Sequence, residues 1–527
     1  MVPSSPHSRR RRTLAIAASA ALAAALALPA AGAAVAHDGG LADSDLFLNP
    51  WSTTLEAAQA LSGQARDDAQ LLGSIPSADW FTKGTRAEVQ AAVDEVVTAA
   101  AAKGEMPVIV AYNLPFRDCA QYSSGGALDT AAYKAWIDGF AAGIGDRPAT
   151  VILEPDGLGI IPHYTTLDGN TEWCQPAELD AATATSDRFE QLNYAVDELA
   201  ALASTSVYLD GTGASWLNVG EISDRLLKSG VQNADGFFLN ASNYQFTTNS
   251  QYFGSWVSKC IAWVTEAGGK FGECGNQYWN GGPATNWDGT AMSQYGEWSV
   301  GNADLTLNVD GVESRYASQL GDVEPTTHFV IDTSRNGLGP WQYPAGVYSA
   351  HEDWCNPPDR GLGLLPDTST GVALVDAYLW IKVPGESDGK CFRGTAGPLD
   401  PERGMEDPAA GQWFVEQARE LIELSNPNLA PLDCHVAWSA KGAGQAFSAT
   451  VGVTGDASPG WSLQFAERDG QTFTKAVGGS VSQADGTVTV TGGTGKGAGK
   501  ATSTVLQGKG SPYQPWQFHL DGRACTS

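Results

Sequence analysis

The stretch that decides the fold reads Val151-Ile152-Leu153-Glu154-Pro155-Asp156-Gly157. Three consecutive aliphatic residues favour a short buried strand, and the proline and glycine that follow favour its end. Two acids stand directly after the strand. A short apolar run followed by an acid recurs along the chain, so the organisation of the sequence can be worked out from this stretch.

Short apolar runs alternate with amphipathic helical patterns between residues 45 and 425. Helices are predicted, for example, at Thr130–Ile144, Ser186–Leu202 and Gln412–Leu424. Repeated βα units of this length predict an α/β domain with a parallel sheet, most economically closed into a barrel. The predicted strands are Pro107–Tyr112, Thr150–Leu153, Val207–Leu209, Gly236–Leu239, His328–Ile331 and Ala377–Ile381.

Two regions depart from this βα rhythm. The interval Cys260–Asp310 is rich in Gly, Asn and Trp and reads as an insertion between one helix and the next strand. After Asn426–Pro431 the chain consists of short alternating strands, such as Phe447–Val453 and Thr487–Thr491, divided by glycine clusters. No long helix fits there, so we predict a small C-terminal β-sandwich at residues 432–527.

The first 36 residues read as a secretory signal peptide outside the fold. Arg9–Arg12 form its basic start, Thr13–Leu28 an apolar segment that is short for a membrane span, and Ala34–Ala36 a small-residue cleavage site. We therefore expect a secreted, extracellular protein.

Export makes disulfides possible, and the cysteine count is even. None of the cysteines forms a CxxC pair, and the seven histidines show no HxxxH spacing, so we expect neither a metal site nor another cofactor. The sequence alone leaves the pairing open, although pairing of neighbours would give four disulfides. The eight cysteines are Cys119, Cys174, Cys260, Cys274, Cys355, Cys391, Cys434 and Cys525.

The charge and the tryptophan content limit the class of ligand. The chain carries 59 acidic and 31 basic residues, and loss of the four arginines of the leader leaves 27 bases, a net charge of −32. Nucleic acid and anionic membrane surfaces would repel such a chain, so neither is expected as a partner. The 17 tryptophans indicate a neutral, hydroxyl-rich ligand, because flat indole faces pair well with the C–H faces of sugar rings.

For the oligomeric state, we expect a monomer.

Acids follow most of the predicted strands. In a parallel barrel these strand ends point to one face, where active sites are built. Crowded carboxylates raise each other's pKa, which leaves a protonated acid beside ionised ones, as hydrolysis of a glycosidic bond requires. The alternative is that these acids cap helices or bind backbone amides. The acids are Asp118, Glu154, Asp156, Asp210, Asp332, Glu386 and Asp388.

Several sequence blocks together resemble glycoside hydrolase family 6. The blocks are Val110–Cys119 with Ser123–Gly126, Val151–Asp156, Ile331–Gly337, Trp354–Pro357 and Trp380–Gly389, in the family's order. The resemblance covers residues 49–427 and implies a catalytic domain at 45–427 with a distorted, TIM-like α/β barrel. It also implies an inverting β-1,4-glucanase whose partner is a cellulose or related glucan chain.

The resemblance assigns roles to individual acids. Asp156 matches the proton donor, and Asp388 matches the proposed base, which acts directly or through a water chain. Asp118 matches an acid that tunes the donor or relays protons. Asp210 matches a further acid beside the cleavage point.

The resemblance also assigns substrate contacts and two disulfides. Trp80, Trp216 and Trp354 match positions that stack on glucose rings, and Asn243, Lys382 and Glu386 match positions that hydrogen-bond to them. The family's disulfides correspond to Cys119–Cys174 and Cys355–Cys391.

The sequence departs from the family pattern at three places. Gly213 stands where a substrate-contacting histidine is usual, and Gly157 stands where Ser, Ala or Leu is usual. The Cys260–Asp310 insertion is outside the family minimum.

The C-terminal region resembles a family 2 carbohydrate-binding module, from Cys434 through Gly460–Leu463 and Val481–Gln483 to Leu520–Cys525. Such modules bind cellulose through exposed tryptophans. Here Val477 and the glycine-rich loop 492–499 stand at the matching positions, whereas Trp461 matches a buried tryptophan. We therefore expect weak or altered cellulose binding by this module.

Endo action is favoured because the Asn240–Tyr244 and Ile331–Gly337 blocks look more like those of bacterial endoglucanases. The alternative is a cellobiohydrolase whose loops roof the cleft, since Cys391–Ala410 is longer than an open cleft requires and the Cys260–Asp310 insertion could also cover substrate. A non-catalytic glucan-binding relative is a further alternative, disfavoured because every acid of the set is present.

Overall fold

The computed structural model describes residues 40–278, 306–350 and 352–427, followed by 434–442, 446–455, 461–468, 470–484, 486–492, 502–510, 512, 514–520 and 523–525. The predicted signal peptide lies outside the described residues. So do residues 279–305 of the insertion, the link 428–433 and residues 493–499 of the glycine-rich loop.

Seven parallel strands form the central sheet, in the chain order β1 to β7. This confirms the predicted α/β class. The elements are α1 (Thr53–Ala60), α2 (Gly63–Leu72), β1 (Asp79–Phe81), α3 (Arg86–Lys103), β2 (Val108–Ala111), α4 (Thr130–Ile144), β3 (Ala149–Leu153), α5 (Ala184–Ala200), β4 (Thr205–Asp210), α6 (Val219–Lys228), β5 (Gly236–Leu239), α7 (Thr247–Glu266), α8 (Thr306–Leu320), β6 (His328–Asp332), β7 (Val375–Leu379) and α9 (Val415–Glu423).

The sheet is curled, with a separate apolar core on each of its faces. Along β3, Val151 packs with the helices outside the sheet, whereas Ile152 packs with residues of the other strands inside it. This follows from the period-2 alternation of a strand that is buried on both faces. The inner core contains Val110, Ile152, Tyr208, Phe238, Val330, Ala377, Leu379 and Ile381.

The two edge strands approach each other without pairing along their length. The backbone N–H of Ala78 donates to the carbonyl of Trp380 (2.9 Å), and the Trp80 indole N–H donates to the carbonyl of Ile381 (2.8 Å). These bonds join β1 to the segment just beyond β7, so the sheet is a distorted barrel, as expected.

The predicted strands are found with small shifts, and one strand was missed. Gly236–Leu239 is β5 as predicted, whereas β7 ends at Leu379, two residues before the predicted end. Strand β1 has three residues, too few for a recognisable alternation. Local signals do define the helices: α3 begins with a capping box between Thr85 and Glu88 and ends at Gly104, whose φ of 73° is left-handed.

The C-terminal region contains two antiparallel sheets, consistent with the predicted small β-sandwich. One sheet has the order β11-β14-β9-β8 and the other β12-β13-β10-β15-β16. Trp461 is 2% exposed in the core between them, so its predicted burial is confirmed. The strands are β8 (Cys434–Lys441), β9 (Phe447–Gly455), β10 (Ser462–Ala466), β11 (Thr472–Val477), β12 (Gly479–Ala484), β13 (Thr487–Gly492), β14 (Thr502–Lys509), β15 (Trp516–Leu520) and β16 (Arg523–Ala524).

Three disulfides join neighbouring cysteines of the chain: Cys119–Cys174, Cys260–Cys274 and Cys355–Cys391. Cys525 is disulfide-bonded as well, and the side chain of its expected partner Cys434 lies outside the described residues.

Within the described ranges, no helix combines the length and the apolar composition needed to cross a membrane.

Candidate active site

A cavity of about 400 Å³ lies where the central strands end. Three of the four predicted catalytic acids line it, and so do five of the six predicted substrate contacts. Asp210 and Glu386 are not among its lining residues. The lining includes Trp80, Tyr112, Asp118, Asp156, Trp173, Trp216, Asn243, Tyr244, Trp354, Lys382 and Asp388.

Asp156 follows β3 and adopts a left-handed backbone conformation, with φ at 64°. Non-glycine residues rarely adopt this conformation, and where they do it often accompanies a functional role. Burial raises the pKa of the Asp156 carboxyl well above its ordinary value, and the negative charges of Asp210, Asp118 and Asp388 raise it further. These surroundings therefore favour the protonated form of Asp156.

Asp388 lies in the same cavity with the opposite protonation state. Its carboxylate accepts hydrogen bonds from the Arg335 guanidinium (2.9 Å), the Tyr244 hydroxyl (3.2 Å) and the Asn356 backbone N–H (3.0 Å). The Lys382 ammonium lies 3.5 Å away. Burial alone would raise the pKa of Asp388, but Arg335 and Lys382 outweigh burial and lower it below its ordinary value. Asp388 is therefore ionised.

Asp118 is the third acid of the cavity. Its carboxylate accepts the backbone N–H of Ser123 (2.7 Å), and burial raises its pKa to about 6 in spite of that bond and of the nearby Arg117. Because its charge contributes to the raised pKa of Asp156, the protonation of the two acids is coupled.

Two other acids at strand ends bind backbone amides instead of facing the cavity. Glu154 accepts the N–H groups of Asn113 (2.9 Å) and Leu114 (3.1 Å), which joins the end of β3 to the end of β2. Asp332 accepts the N–H groups of Ser334 and Lys382, both at 2.9 Å. For these acids the alternative interpretation, structural binding of backbone amides, is correct.

The Asp210 carboxylate also binds backbone amides. It accepts the N–H groups of Leu158 and Gly159, both at 3.1 Å, and of Thr212 at 2.8 Å. Burial raises its pKa to about 6 despite these bonds. Asp210 therefore fixes the segment that follows Asp156 and raises the pKa of Asp156 by its charge.

Aromatic side chains line the cavity on several sides. The Trp80 ring meets the Tyr112 ring edge-on at 5.4 Å, and the Trp354 ring lies 5.9 Å from that of Tyr122. The Trp216 ring is 36% exposed and lies against Gly159, where an added Cβ would come within 2.3 Å of it. Trp80, Trp216 and Trp354, which the resemblance assigns to sugar stacking, all line the cavity.

The predicted polar contacts are only partly at the cavity. Asn243 and Lys382 line it, and the Lys382 ammonium donates to the carbonyl of Ser387 (3.2 Å). Glu386 instead accepts the Thr53 hydroxyl (2.6 Å), and burial raises its pKa although Lys382 partly offsets that effect.

The sequence interpretation missed Arg335 and Trp173. Arg335 is fully buried, with its guanidinium carbon 4.4 Å from the centre of the Tyr244 ring. A basic residue just after a predicted strand, inside a recognised block, was the available signal. Trp173 lines the cavity and is 55% exposed, and its signal was its position beside Cys174.

The two glycine departures have different structural settings. A Cβ at Gly157 would lie 2.7 Å from the carbonyl oxygen of Glu154, so a larger residue there requires the loop to shift. A Cβ at Gly213 would meet only the Asn240 Cα, at 4.0 Å. The space for a side chain at position 213 is therefore retained, although the side chain is absent.

A cavity at the carboxyl ends of a parallel barrel, with one acid whose surroundings favour protonation, another held ionised and tryptophans at its surface, is characteristic of a glycoside hydrolase. The family model for glycosyl hydrolases family 6 matches residues 41–425. The chain belongs to this family, which confirms the resemblance of its sequence blocks.

The chain is also similar in sequence or structure to individual known proteins. The chain is 31% identical to Endoglucanase A of Thermobispora bispora over 368 residues, 69% of this chain and 62% of that protein. It thus spans less than two thirds of that relative's length. It is 28% identical to the probable 1,4-β-D-glucan cellobiohydrolase C of Aspergillus terreus, over 72% of this chain and 74% of that protein. The structure of an endoglucanase from Mycobacterium tuberculosis, in complex with methyl-cellobiosyl-4-deoxy-4-thio-β-D-cellobioside, is 30% identical with a TM-score of 0.51, covering 72% of this chain and 97% of that chain.

Proposed function

We propose that the protein is a secreted, inverting β-1,4-glucanase that hydrolyses cellulose or related glucans, acting within the chain. The observation that carries this proposal is that two acids line one cavity in opposite surroundings: the carboxylates around Asp156 favour its protonated form, whereas Arg335 and Lys382 beside Asp388 favour its ionised form. Inverting hydrolysis uses such a pair, an acid for the leaving oxygen and a carboxylate for the attacking water. The similarity to an endoglucanase and to a probable 1,4-β-D-glucan cellobiohydrolase supports the substrate class.

In the proposed reaction the Asp156 carboxyl gives its proton to the glycosidic oxygen as the bond from that oxygen to C1 breaks. A water molecule attacks C1 from the opposite face of the ring and gives a proton to Asp388, directly or through further water. Asp118 tunes the proton donor, since its negative charge favours the protonated form of Asp156. The released end has the inverted, α configuration.

Trp80, Trp216 and Trp354 hold glucose rings by stacking in this proposal, and Asn243 and Lys382 hydrogen-bond to their hydroxyls. Glu386 does not line the cavity, and we assign it a positioning role because its carboxylate interacts electrostatically with the Lys382 ammonium. Asp210 is assigned a positioning role, since its carboxylate binds backbone amides of the segment after Asp156.

Endo action is supported by the packing of the long loop after Asp388. Between Gly389 and Trp413, a fully described segment, no residue lines the cavity. The loop packs instead around Arg393, whose guanidinium pairs with Asp400 in a fully buried ion pair (2.8 Å). A loop held in this way leaves the cleft accessible to the middle of a glucan chain.

A cellobiohydrolase is the second candidate, and one contact favours it. The Tyr122 hydroxyl, on the loop after β2, donates to Glu352 (3.0 Å) on the loop after β6, and the Phe392 N–H, after β7, donates to the same carboxylate (3.0 Å). Strand β1, with Trp80, lies between β2 and the β7 edge. A contact between these loops therefore narrows the cleft near Trp80.

Three measurements on the full secreted chain test the proposal. We expect release of reducing ends from carboxymethylcellulose, a large loss of viscosity per reducing end, and an α-anomeric first product by NMR. Slow viscosity loss with cellobiose as the main product would instead support the cellobiohydrolase. A β-anomeric first product would contradict the inverting mechanism, and absence of hydrolysis would favour the non-catalytic relative.

For the C-terminal region, we propose a carbohydrate-binding module with weak affinity for cellulose. Val477, at one of the positions where such modules carry a tryptophan, lies on β11 and is 52% exposed. A valine offers much less flat surface for a sugar ring than an indole. In sedimentation with microcrystalline cellulose, the Asp156→Ala protein should bind about equally with and without residues 432–527. If removal of residues 432–527 abolished binding to cellulose, the proposed weak affinity of this module would be wrong.

A further inference from the structure

Trp173 is a large apolar side chain without a role in the reaction described so far. It lies in the connection between β3 and α5, is 55% exposed, and lines the same cavity as Asp156 and Asp118. An exposed indole at a cavity surface is unfavourable in water, and a ligand that covers it would gain the hydrophobic contribution of its burial.

The residues on both sides of Trp173 are anchored. Glu172 forms an ion pair with Arg225, whose side chain is fully buried. Cys174 is bonded to Cys119, and its carbonyl accepts the N–H of His163 (2.9 Å). The Trp173 backbone is therefore held in place while its indole stays exposed, so little backbone conformational entropy is lost when a ligand binds.

These anchors lead directly to the catalytic acids. The disulfide joins Cys174 to Cys119, the residue that follows Asp118. Arg225 also donates to the carbonyl of Leu158 (2.8 Å), two residues after Asp156. Trp173 is thus tied to both loops that carry acids on the β2–β3 side of the cavity.

The location of Trp173 identifies the side of the substrate that it faces. Trp173 follows β3 and Trp216 follows β4, two central strands, whereas Asp388 follows β7, which is an edge strand of the sheet. Asp156, also after β3, protonates the oxygen that leaves with the departing part of the glucan. Residues beyond Asp156 on the β3–β4 side, away from Asp388, therefore face the leaving portion of the chain.

We propose that Trp173 is a sugar-stacking, specificity-determining residue that binds an outer glucose unit of the leaving portion of the glucan, next to the unit on Trp216. This inference rests on the proposed function, since it takes a β-1,4-linked glucan as the ligand. Stacking on Trp173 makes the cleft favour glucans that are long enough to place a glucose unit beyond Trp216.

The test compares Trp173→Ala with the wild-type chain on cello-oligosaccharides of four to six units. For cellohexaose we expect KM to rise about threefold to tenfold, with kcat nearly unchanged, because loss of one aromatic contact weakens binding of the longer substrate. For cellotetraose the change in KM should be smaller. Trp173→Phe should recover most of the lost affinity, since it restores a flat ring.

Trp51→Ala is the matched control, because Trp51 is 44% exposed but does not line the cavity. The KM of the Trp51→Ala variant for cellohexaose should equal that of the wild-type chain. Equal KM values for wild-type and Trp173→Ala chains on cellohexaose would overturn the inference, as would an equal rise for Trp51→Ala. A fall in kcat with unchanged KM would also overturn it. Failure of the proposed function is distinguishable, because the wild-type chain itself would then release no reducing ends.

Discussion

Replacing Asp156 with asparagine is expected to lower kcat on unactivated glucan by about 10²- to 10⁴-fold, the range for loss of a general acid. Asparagine has nearly the shape of a protonated aspartic acid but gives no proton to the leaving oxygen. Because the surroundings of Asp156 favour its protonated, neutral form, the replacement keeps a neutral group at that position. Binding of cello-oligosaccharides should therefore persist, as measured by calorimetry.

The control for this variant is a change of leaving group. A cellobioside with a dinitrophenolate leaving group needs little protonation, so its hydrolysis should fall much less than that of glucan. When the pH rises through the raised pKa of Asp156, the acid loses its proton. The chain then loses its proton donor, and the free energy of unfolding falls because a buried charge has formed. Accordingly, the wild-type chain should lose activity at high pH, and Asp156→Asn should not lower the free energy of unfolding at pH 7. Equal losses on both substrates would contradict a proton-donor role.

Replacing Arg335 with methionine is expected to have the second largest effect. The change removes the closest positive charge from the buried Asp388 and leaves Lys382 at 3.5 Å as its nearest cation. Breaking a buried ion pair by removing one partner costs roughly 3–5 kcal/mol of stability. Urea unfolding at pH 7 should show a loss of about this size.

The same variant should change the acid side of the pH profile. In the wild-type chain the lowered pKa keeps Asp388 ionised, and activity should be lost only as the pH falls below the ordinary aspartate range. Without Arg335, burial raises the pKa of Asp388, so activity should fall at a higher pH. Arg335→Lys is the matched control, because it keeps a positive charge. It should retain part of the stability and part of the lowering of the Asp388 pKa. An unchanged acid limb in Arg335→Met would show that Arg335 does not control the charge of Asp388.

The pattern along the chain was sufficient to predict much of the fold. Alternating apolar runs and helical patterns gave six of the seven strands and the parallel sheet, because buried strands and amphipathic helices have strong local signals. Strand β1 was missed because it has only three residues, and it is held by parallel pairing with β2 and by hydrogen bonds from Ala78 and Trp80 to the segment just beyond β7. Contacts of that kind leave no periodic trace in the sequence.

The candidate site was predicted in outline. Acids after most of the predicted strands indicated a common acidic face, and the family blocks indicated Asp156 and Asp388 among several acids. The functions of the remaining acids depended on which groups came near them. Glu154, Asp210 and Asp332 lie after strands as Asp156 does, but their oxygens are bound to backbone N–H groups.

The amino-acid sequence by itself determined the βα order, the position of each acid at a strand end and the family to which the chain belongs. Only the tertiary structure decided which carboxyl keeps a proton and which tryptophans stay exposed. The pKa of a carboxyl depends on burial and on charges within a few ångströms. The charges around Asp156 lie after β2, at the end of β4 and after β7, and the cation closest to Asp388, Arg335, follows β6. These segments are separated in the chain and come together only in the folded barrel.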